Sequence, residues 1–343
     1  VVKRKIGKKA RNPKGANAMV SNPMASAQAS PAGARQASKP FSWKAILAGV
    51  AALAFVIYYL AQGPISQGPA IPGQPASSNL RAFGKNVQLE LVSKFDEPDE
   101  ASDIKVDATG KVYVLLRTEL RLYVDGKRVK SISLKTPGVS KSMTTDGSYL
   151  YVTDVDSNTI AKIDKDLKSM SFFKIPAASR LSGIAYSSQN QTLLVVEAES
   201  KVVHKVSTTG KILGVLGGKK ALWTQLYGFF FDMQVDENGG LYIVDHRGHE
   251  IVRVSPETVV QPSLPGPWSQ SSWERMAIMK KRVYVNCQLD NRVTVMDMEG
   301  NPVGSFKMDA PQMITAGKDG YLYVRGSGSI MKFKPLAEAA SKK

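Results

Sequence analysis

Residues 236–245 read Asp-Glu-Asn-Gly-Gly-Leu-Tyr-Ile-Val-Asp: a turn rich in Asp and Gly, an apolar-Tyr-apolar triplet, then an acid. Asp and Gly are the residues that tight hairpins select, so the stretch predicts an antiparallel strand pair joined by Asp236 to Gly239. The triplet recurs along the chain as Val112-Tyr113-Val114, Leu150-Tyr151-Val152, Leu193-Leu194-Val195, Leu241-Tyr242-Ile243, Val283-Tyr284-Val285 and Leu322-Tyr323-Val324. Its central residues lie 38, 43, 48, 42 and 39 positions apart. That spacing is the period of a four-stranded propeller blade.

Each unit repeats the same punctuation. Asp107-Ala108-Thr109-Gly110, Asp146-Gly147 and Lys318-Asp319-Gly320 precede their triplets as Asp236 to Gly239 precedes its own. A third strand is expected at Leu120 to Val124, Ile160 to Ile163, Val202 to Val206, Ile251 to Val254, Val293 to Met296 and Ile330 to Phe333. A second turn, such as Asp125-Gly126, Thr209-Gly210 or Glu299-Gly300, leads to a fourth. The sixth unit has no fourth strand, because Phe333 is followed by Lys334, Pro335 and an Ala, Ser and Lys tail. Val87 to Val92 has no unit of its own. Paired beside Ile330 to Phe333, it would close the ring and remove two open sheet edges. The expected fold is an all-β, six-bladed β-propeller over residues 87–335, with 336–343 as a tail.

The segments Tyr151-Val-Thr-Asp154 to Asn158-Thr-Ile160, Tyr242-Ile-Val-Asp245 to His249-Glu-Ile251, and Tyr284-Val-Asn286 to Asn291-Arg-Val293 resemble the NHL repeat, as does the inner-strand run Gly183-Ile184-Ala185. The resemblance covers about 250 residues and implies an NHL-like propeller. Blade three departs from it with Leu194 in place of Tyr, and blade six with Arg325 where the repeat usually has Asp. The Trp-Asp and paired-Gly signatures of WD40 and kelch repeats are missing.

Ahead of the repeats the composition changes. The net charge of +17 is concentrated in residues 1–44, which carry ten Lys or Arg and no acid. Residues 1–40 have no apolar periodicity and predict a disordered basic tail, in which Lys3, Arg4, Lys5, Lys8, Lys9, Arg11 and Lys14 would meet anionic lipid or an acidic partner. Residues 45–61 form a 17-residue run without charge. With Trp43, Tyr58 and Tyr59 as interfacial anchors, residues 41–62 read as a transmembrane helix. The basic flank puts the N-terminus in the cytoplasm and the propeller in the periplasm or outside the cell, as expected of a single-pass protein of the inner (plasma) membrane. Residues 63–86, rich in Pro, Gly, Ser and Gln, read as a linker. The tail lacks the aromatic interleaving of a nucleic-acid binder. A lone cysteine, Cys287, excludes an intrachain disulfide framework.

No nucleophile elbow, phosphate loop or zinc-binding cysteine set is present, and nothing in the sequence requires a cofactor. Propeller chemistry sits at the channel mouth, where the starts of the inner strands meet the loops between second and third strands. Those positions hold Asp103, Asp154, Glu197, Asp232, His246 and Asn286. Such an oxygen-rich ring can bind a divalent cation, although a wet funnel is polar in any case and Asp154 and Asp245 are ordinary repeat residues. His249 takes the repeat position of Asn158 and Asn291, which predicts a structural hydrogen bond, and His204 reads as a blade-surface residue. The connections Leu222 to Phe231 and Gln261 to Trp273 are long and carry Trp223, Tyr227, Trp268 and Trp273, the expected docking anchors. The function expected from the sequence is an interaction scaffold or accessory subunit of a membrane or envelope complex. The alternative is a membrane-tethered hydrolase or lyase with a metal at the channel mouth.

Overall fold

The computed structural model describes residues 86–135, 138, 140–176, 178, 180–197, 200, 202–217, 230–245, 250–256, 260–265 and 275–336. The chain divides into two units, Val1–Pro72 and Gly73–Lys343. All of the first, including the expected tail and membrane helix, lies outside the described residues, so nothing is added here to their sequence reading. Among the described residues no helix is long and apolar enough to cross a membrane.

The second unit is a ring of six four-stranded antiparallel sheets. Strand β1 (Glu90–Asp96) opens the chain of strands. Blade one follows as β2 (Asp103–Val106), β3 (Val112–Leu115), β4 (Glu119–Val124) and β5 (Lys127–Ser133). Blade two is β6 (Ser140–Thr145), β7 (Tyr149–Asp154), β8 (Thr159–Asp164) and β9 (Met170–Lys174). Blade three is β10 (Leu181–Ser187), β11 (Thr192–Glu197), β12 (Val202–Ser207) and β13 (Ile212–Gly217). Blade four is β14 (Phe230–Val235), β15 (Leu241–Asp245), β16 (Glu250–Val254) and β17 (Val260–Pro265). Blade five is β18 (Met276–Met279), β19 (Arg282–Cys287), β20 (Arg292–Asp297) and β21 (Pro302–Lys307). Blade six is β22 (Pro311–Ala316), β23 (Leu322–Gly326) and β24 (Ser329–Lys334), completed by β1.

The apolar-Tyr-apolar triplet has a direct physical cause. Successive side chains of a strand point to opposite faces, and in a propeller both faces of every blade are covered by a neighbour. Tyr113 packs toward blade two with Met143 and Val152, whereas Val112 and Val114 pack toward blade six with Tyr323 and Ile330. Leu194 faces blade four, with Met233 and Ile243, while Leu193 and Val195 face blade two with Tyr151 and Ile160. The two remaining interfaces, four with five and five with six, are built the same way around Tyr242 and Tyr284. Six buried clusters therefore serve six blade interfaces, and the core forms a circle.

The tyrosine hydroxyl explains why the central residue is rarely purely aliphatic. Tyr151 donates to Asp146 at 2.7 Å and Tyr323 to Asp319 at 2.6 Å, each tying the second strand to the turn that precedes it. Tyr113 does the same with Asp107 at 3.3 Å and also donates to the Lys165 carbonyl of blade two at 2.9 Å. Burial, reinforced by the facing carboxylate, raises the pKa of all three hydroxyls. The third-strand segments expected from the sequence all fall inside β4, β8, β12, β16, β20 and β24.

Two expected boundaries move. The ring closes as predicted beside Ile330 to Phe333, but the closing strand is Glu90–Asp96, not Val87 to Val92, with Phe95 opposite Ile330 and Glu90 opposite Lys334. An outermost strand is held by backbone bonds, so its side chains do little to fix its bounds: Leu91 and Val92 are 51% and 45% exposed. Asn86 and Val87 instead lie against Ser305 of blade five. The second shift concerns Gln261 to Trp273, whose first residues form the edge strand β17 and not a loop. Its prolines, at 262 and 265, suit a blade edge, where one side of the strand has no partner.

Candidate functional site

Ladder registers fix which residues are equivalent around the channel. Ile104, Met143, Ile184, Met233, Met276 and Ile314 each pair with the residue after a triplet centre. The residues just before them are therefore equivalent: Asp103, Ser142, Gly183, Asp232, Arg275 and Met313. This is the ring of inner-strand starts that the sequence marks as the channel mouth.

Asp103 and Asp232, both buried, do the same work one half-turn apart. Asp103 accepts from its own strand at Ile104 N (2.7 Å) and from blade two at Met143 N (2.8 Å). Asp232 accepts from Met233 N (3.0 Å) and from blade five at Met276 N (2.7 Å). Each carboxylate staples its blade to the next through that blade's backbone. Asp103 also pairs with Lys105 at 2.8 Å, and Asp232 lies 3.8 Å from Arg275. Burial holds the Asp232 carboxyl above the ordinary carboxylate range, against the pull of Arg275 and Lys105. At the same ring position in blade five, Arg275 reverses the charge. Its guanidinium donates to the carbonyl of Ser102, just before β2 of blade one, at 2.9 Å.

The loop residues divide differently. Asp154 caps its own loop, accepting from Asp156 N (3.0 Å), Ser157 Oγ (2.7 Å) and Gly138 N (3.2 Å). Gly138 must be glycine there, because a Cβ would overlap the Asp154 carboxylate. Glu197 accepts from Ser200 Oγ at 2.6 Å and meets His204 Nε2 at 3.3 Å. His204, expected on a blade surface, is 3% exposed, and its Nδ1 has no partner among the described residues. Asn286 accepts from Arg275 N and donates to the Pro311 carbonyl at 2.8 Å, joining blade five to blade six. The structure thus brings Asp103, Asp232 and Arg275 together in the channel, and engages Asp154 with its own loop and with Gly138 of the connection from blade one, and Glu197 with Ser200 and His204. Among the described residues no three His, Cys, Asp or Glu side chains converge to hold a metal. His246, His249, Trp223, Tyr227, Trp268 and Trp273 lie outside the described residues.

The comparison of Arg325 with the repeat Asp shifts by one position. Asp154 pairs with Thr159 and Asp245 with Glu250, and the matching pair in blade six is Gly326 with Ser329. Arg325 corresponds to Thr153, one residue earlier. A Cβ at Gly326 would meet the Asp309 carbonyl, so close backbone approach displaces the acid in this blade.

One buried group goes unnoticed in the sequence. Glu97, fully buried between β1 and β2, accepts from Arg121 Nη1 at 3.0 Å and from the Tyr123 hydroxyl. Arg121 also reaches Asp99 at 2.5 Å and Glu119 at 3.0 Å. Arg325 donates to the carbonyls of Glu97 (3.2 Å) and Asp99 (2.6 Å). Burial and the Glu97 acceptor push the Tyr123 hydroxyl up to about 12. The connection from the closing strand into blade one is thereby clamped by both flanking blades. The clue in the sequence is only the acid-rich run Asp96-Glu97-Pro98-Asp99-Glu100.

Above Arg275 the channel opens into a cavity of about 410 Å³ lined by Glu100, Ala101, Ser102, Arg117, Lys141, Arg275, Gln288, Gln312 and Met313. These come from blades one, two, five and six and from the connection into blade one. Burial, and then the charges of Arg275 and Arg180, lower the pKa of Lys141.

No protein-family model and no curated protein sequence matches the chain. Solved structures do resemble it. Virginiamycin B lyase from Staphylococcus aureus superimposes with a TM-score of 0.54 at 13% identity, over 73% of this chain and 100% of the lyase. A catalytically inactive variant of that lyase with quinupristin gives 0.52 at 13% identity, over 70% and 83% of the two chains. The β-propeller domain of Myceliophteria thermophila Cps50 (Swd1) gives 0.52 at 10% identity, over 73% and 100%. At these identities the likeness is one of fold.

Proposed function

We propose that this chain is a membrane-tethered interaction scaffold, a single-pass protein whose propeller lies outside the cytoplasm as an accessory subunit of a membrane or envelope complex. The observation that carries the reading is how the acids of the channel mouth are used. Asp103 and Asp232 accept backbone amides of neighbouring blades, and Asp154 caps its loop. A general acid or base must be free to meet a substrate proton, whereas these carboxylates stiffen a ring. A ring stiffened in this way has little order left to lose on binding, which favours docking. The uncharged run at residues 45–61 and the basic flank before it support the anchor and its orientation. Lipid and other membrane or envelope proteins are the partners this reading names, and the NHL-like repeat segments fit it.

Solubilising membranes gently and identifying what co-purifies with the full chain tests the scaffold role. A stable companion whose recovery falls in Trp223→Ala or Trp268→Ala is expected; a chain that elutes alone, unaffected by both changes, sinks it. A reporter fused after Lys343 should be active only outside the cytoplasm. The alternative, a metal-assisted hydrolase or lyase, would be favoured by turnover of quinupristin that is lost to a chelator and in Glu197→Gln.

A further inference from the structure

Every blade ends in an outer strand whose far edge has no further strand among the described residues, and an open edge invites pairing with another chain. Five of the six edges carry a device against this. Strands β1, β5, β13, β17 and β21 each break register with their inner neighbour, which bends the edge out of line. Four of the five add charged residues, as in β1 and β5, or proline, as in β17 and β21. Strand β9 of blade two has neither bulge nor proline. Its residues pair in unbroken order with Thr159 to Ile163 of β8, and Lys174, its last residue, is its only charge. Phe172, at the middle of the strand, is 45% exposed.

The hydrogen bonds of this ladder show what the edge offers. Ile175 N donates to the Asn158 carbonyl at 3.0 Å, and Asp164 N to the Ser169 carbonyl at 3.1 Å. Both pairs continue the ladder between β8 and β9, and in an antiparallel ladder bonded pairs alternate with unbonded ones. Ser171 and Phe173 therefore turn their backbone groups toward β8, while Met170, Phe172 and Lys174 turn theirs outward. None of these outward groups meets a backbone partner among the described residues. Three donors and three acceptors thus stand in a row at alternate residues, with an exposed aromatic ring at the centre.

We infer that β9 pairs antiparallel with the β9 of a second copy of this chain, about a two-fold axis at Phe172. In this register the edge is complementary to itself. Phe172 meets its own copy and Met170 meets Lys174, so every outward amide and carbonyl of both strands is used. Centring on Lys174 would set like charges face to face, and centring on Met170 would leave Phe172 and Lys174 facing the turn that precedes the strand. The flanking Lys168 falls opposite Pro176 and already meets Asp166 at 3.6 Å. Each chain has one such edge, so the assembly closes at two. A contact between two five-residue strands falls short of the roughly 1,200 Å² that stable complexes bury, and confinement to a membrane supplies the effective concentration it needs. The inference adds a second copy to the partners of the scaffold reading and rests on that reading for the tether.

Cysteine cross-linking of the full chain in lipid vesicles tests the register. Opposed residues of a bonded pair have Cα atoms about 5.5 Å apart, within disulfide range. On mild oxidation, Met170→Cys chains mixed with Lys174→Cys chains should give a covalent dimer. Either variant alone should not, because its own cysteines would lie more than about 13 Å apart. The native Cys287 is buried, so the parent chain is the blank. Adding Phe172→Lys to both variants puts like charges at the axis and should slow cross-linking by about tenfold or more. Thermal melts of the variants equal to that of the parent show that the ring is intact. The pairing is overturned by a mixture that floats with the vesicles and gives no cross-link, or by a single variant that links to itself as fast as the mixture does. Cross-linking that Phe172→Lys leaves unchanged overturns it too, as does capture of a different protein at Met170→Cys in place of the second copy. Chains that fail to float sink the anchor alone, and the same mixture oxidised at millimolar concentration in solution then decides the pairing.

Discussion

At the turns that join first to second strands, Asp107, Asp146 and Asp319 take the hydroxyls of Tyr113, Tyr151 and Tyr323, the same contact in three blades. At the opposite ends of the first strands, the six equivalent positions hold Asp103, Ser142, Gly183, Asp232, Arg275 and Met313. The first end is repetitive and partly solvated; the second is irregular, buried and charged. A repeat encodes what every blade needs, namely a turn tied to its strand. What only one blade needs must break the repeat, so the channel mouth is where this chain departs from its own pattern. Buried charges also carry larger individual energies than partly solvated hydroxyls, which ranks the effects of mutation.

The largest effect should come from Glu97→Ala. It leaves Arg121, whose side chain is 11% exposed, without its buried partner and frees the clamp on the closing strand. Removing one member of a buried pair is destabilising by about 3–5 kcal/mol, and chemical denaturation should report it with an unchanged slope. Asp232→Ala comes next: two buried amides, Met233 N and Met276 N, lose their acceptor, at about 2–3 kcal/mol in total. Tyr323→Phe removes one hydroxyl from Asp319, which still holds Lys332 at 2.9 Å, and should be destabilising by about 1 kcal/mol. The contrast between the two ends breaks if Tyr323→Phe proves as damaging as Asp232→Ala.

The same contrast explains what could be read without coordinates. Blade number, strand order and the closing of the ring follow from periodicity, because both faces of every triplet must be buried and the sixth unit lacks a strand. The closing strand begins three residues and ends four residues later than expected, because its side chains are mostly exposed and leave little pattern to follow. At the mouth, the sequence suggests a ring of oxygens that includes Asp103 and Asp232, whereas in the structure both carboxylates accept backbone amides of the next blade. Arg275 and Lys141 escape notice since each replaces, or adjoins, a position occupied by a different residue type in every other blade. Glu97 looks like one acid in an exposed acidic run; only the three-dimensional neighbourhood of Arg121, Tyr123 and Arg325 reveals that it is buried.

The smallest predicted effect sharpens the comparison most, because its sign is reversed. Lys141 is opposed by burial first and by Arg275 and Arg180 next, with Arg117 and Glu100 on the other walls of the cavity. Its folded pKa lies below the ordinary lysine value of 10.5, so the unfolded chain holds more protons between the two values. Stability attributable to this lysine therefore rises with pH across that window, and below it the penalty is present in full. Lys141→Gln should consequently be as stable as the parent or more so below the window, with the parent gaining on it as pH climbs toward 10.5. Denaturation curves of the pair, compared as differences so that tyrosine ionisation cancels, test this. Parallel curves would mean that the mouth bears no electrostatic load and that its irregularity has no cost. A converging difference would identify Lys141 as a charge kept at the expense of the fold.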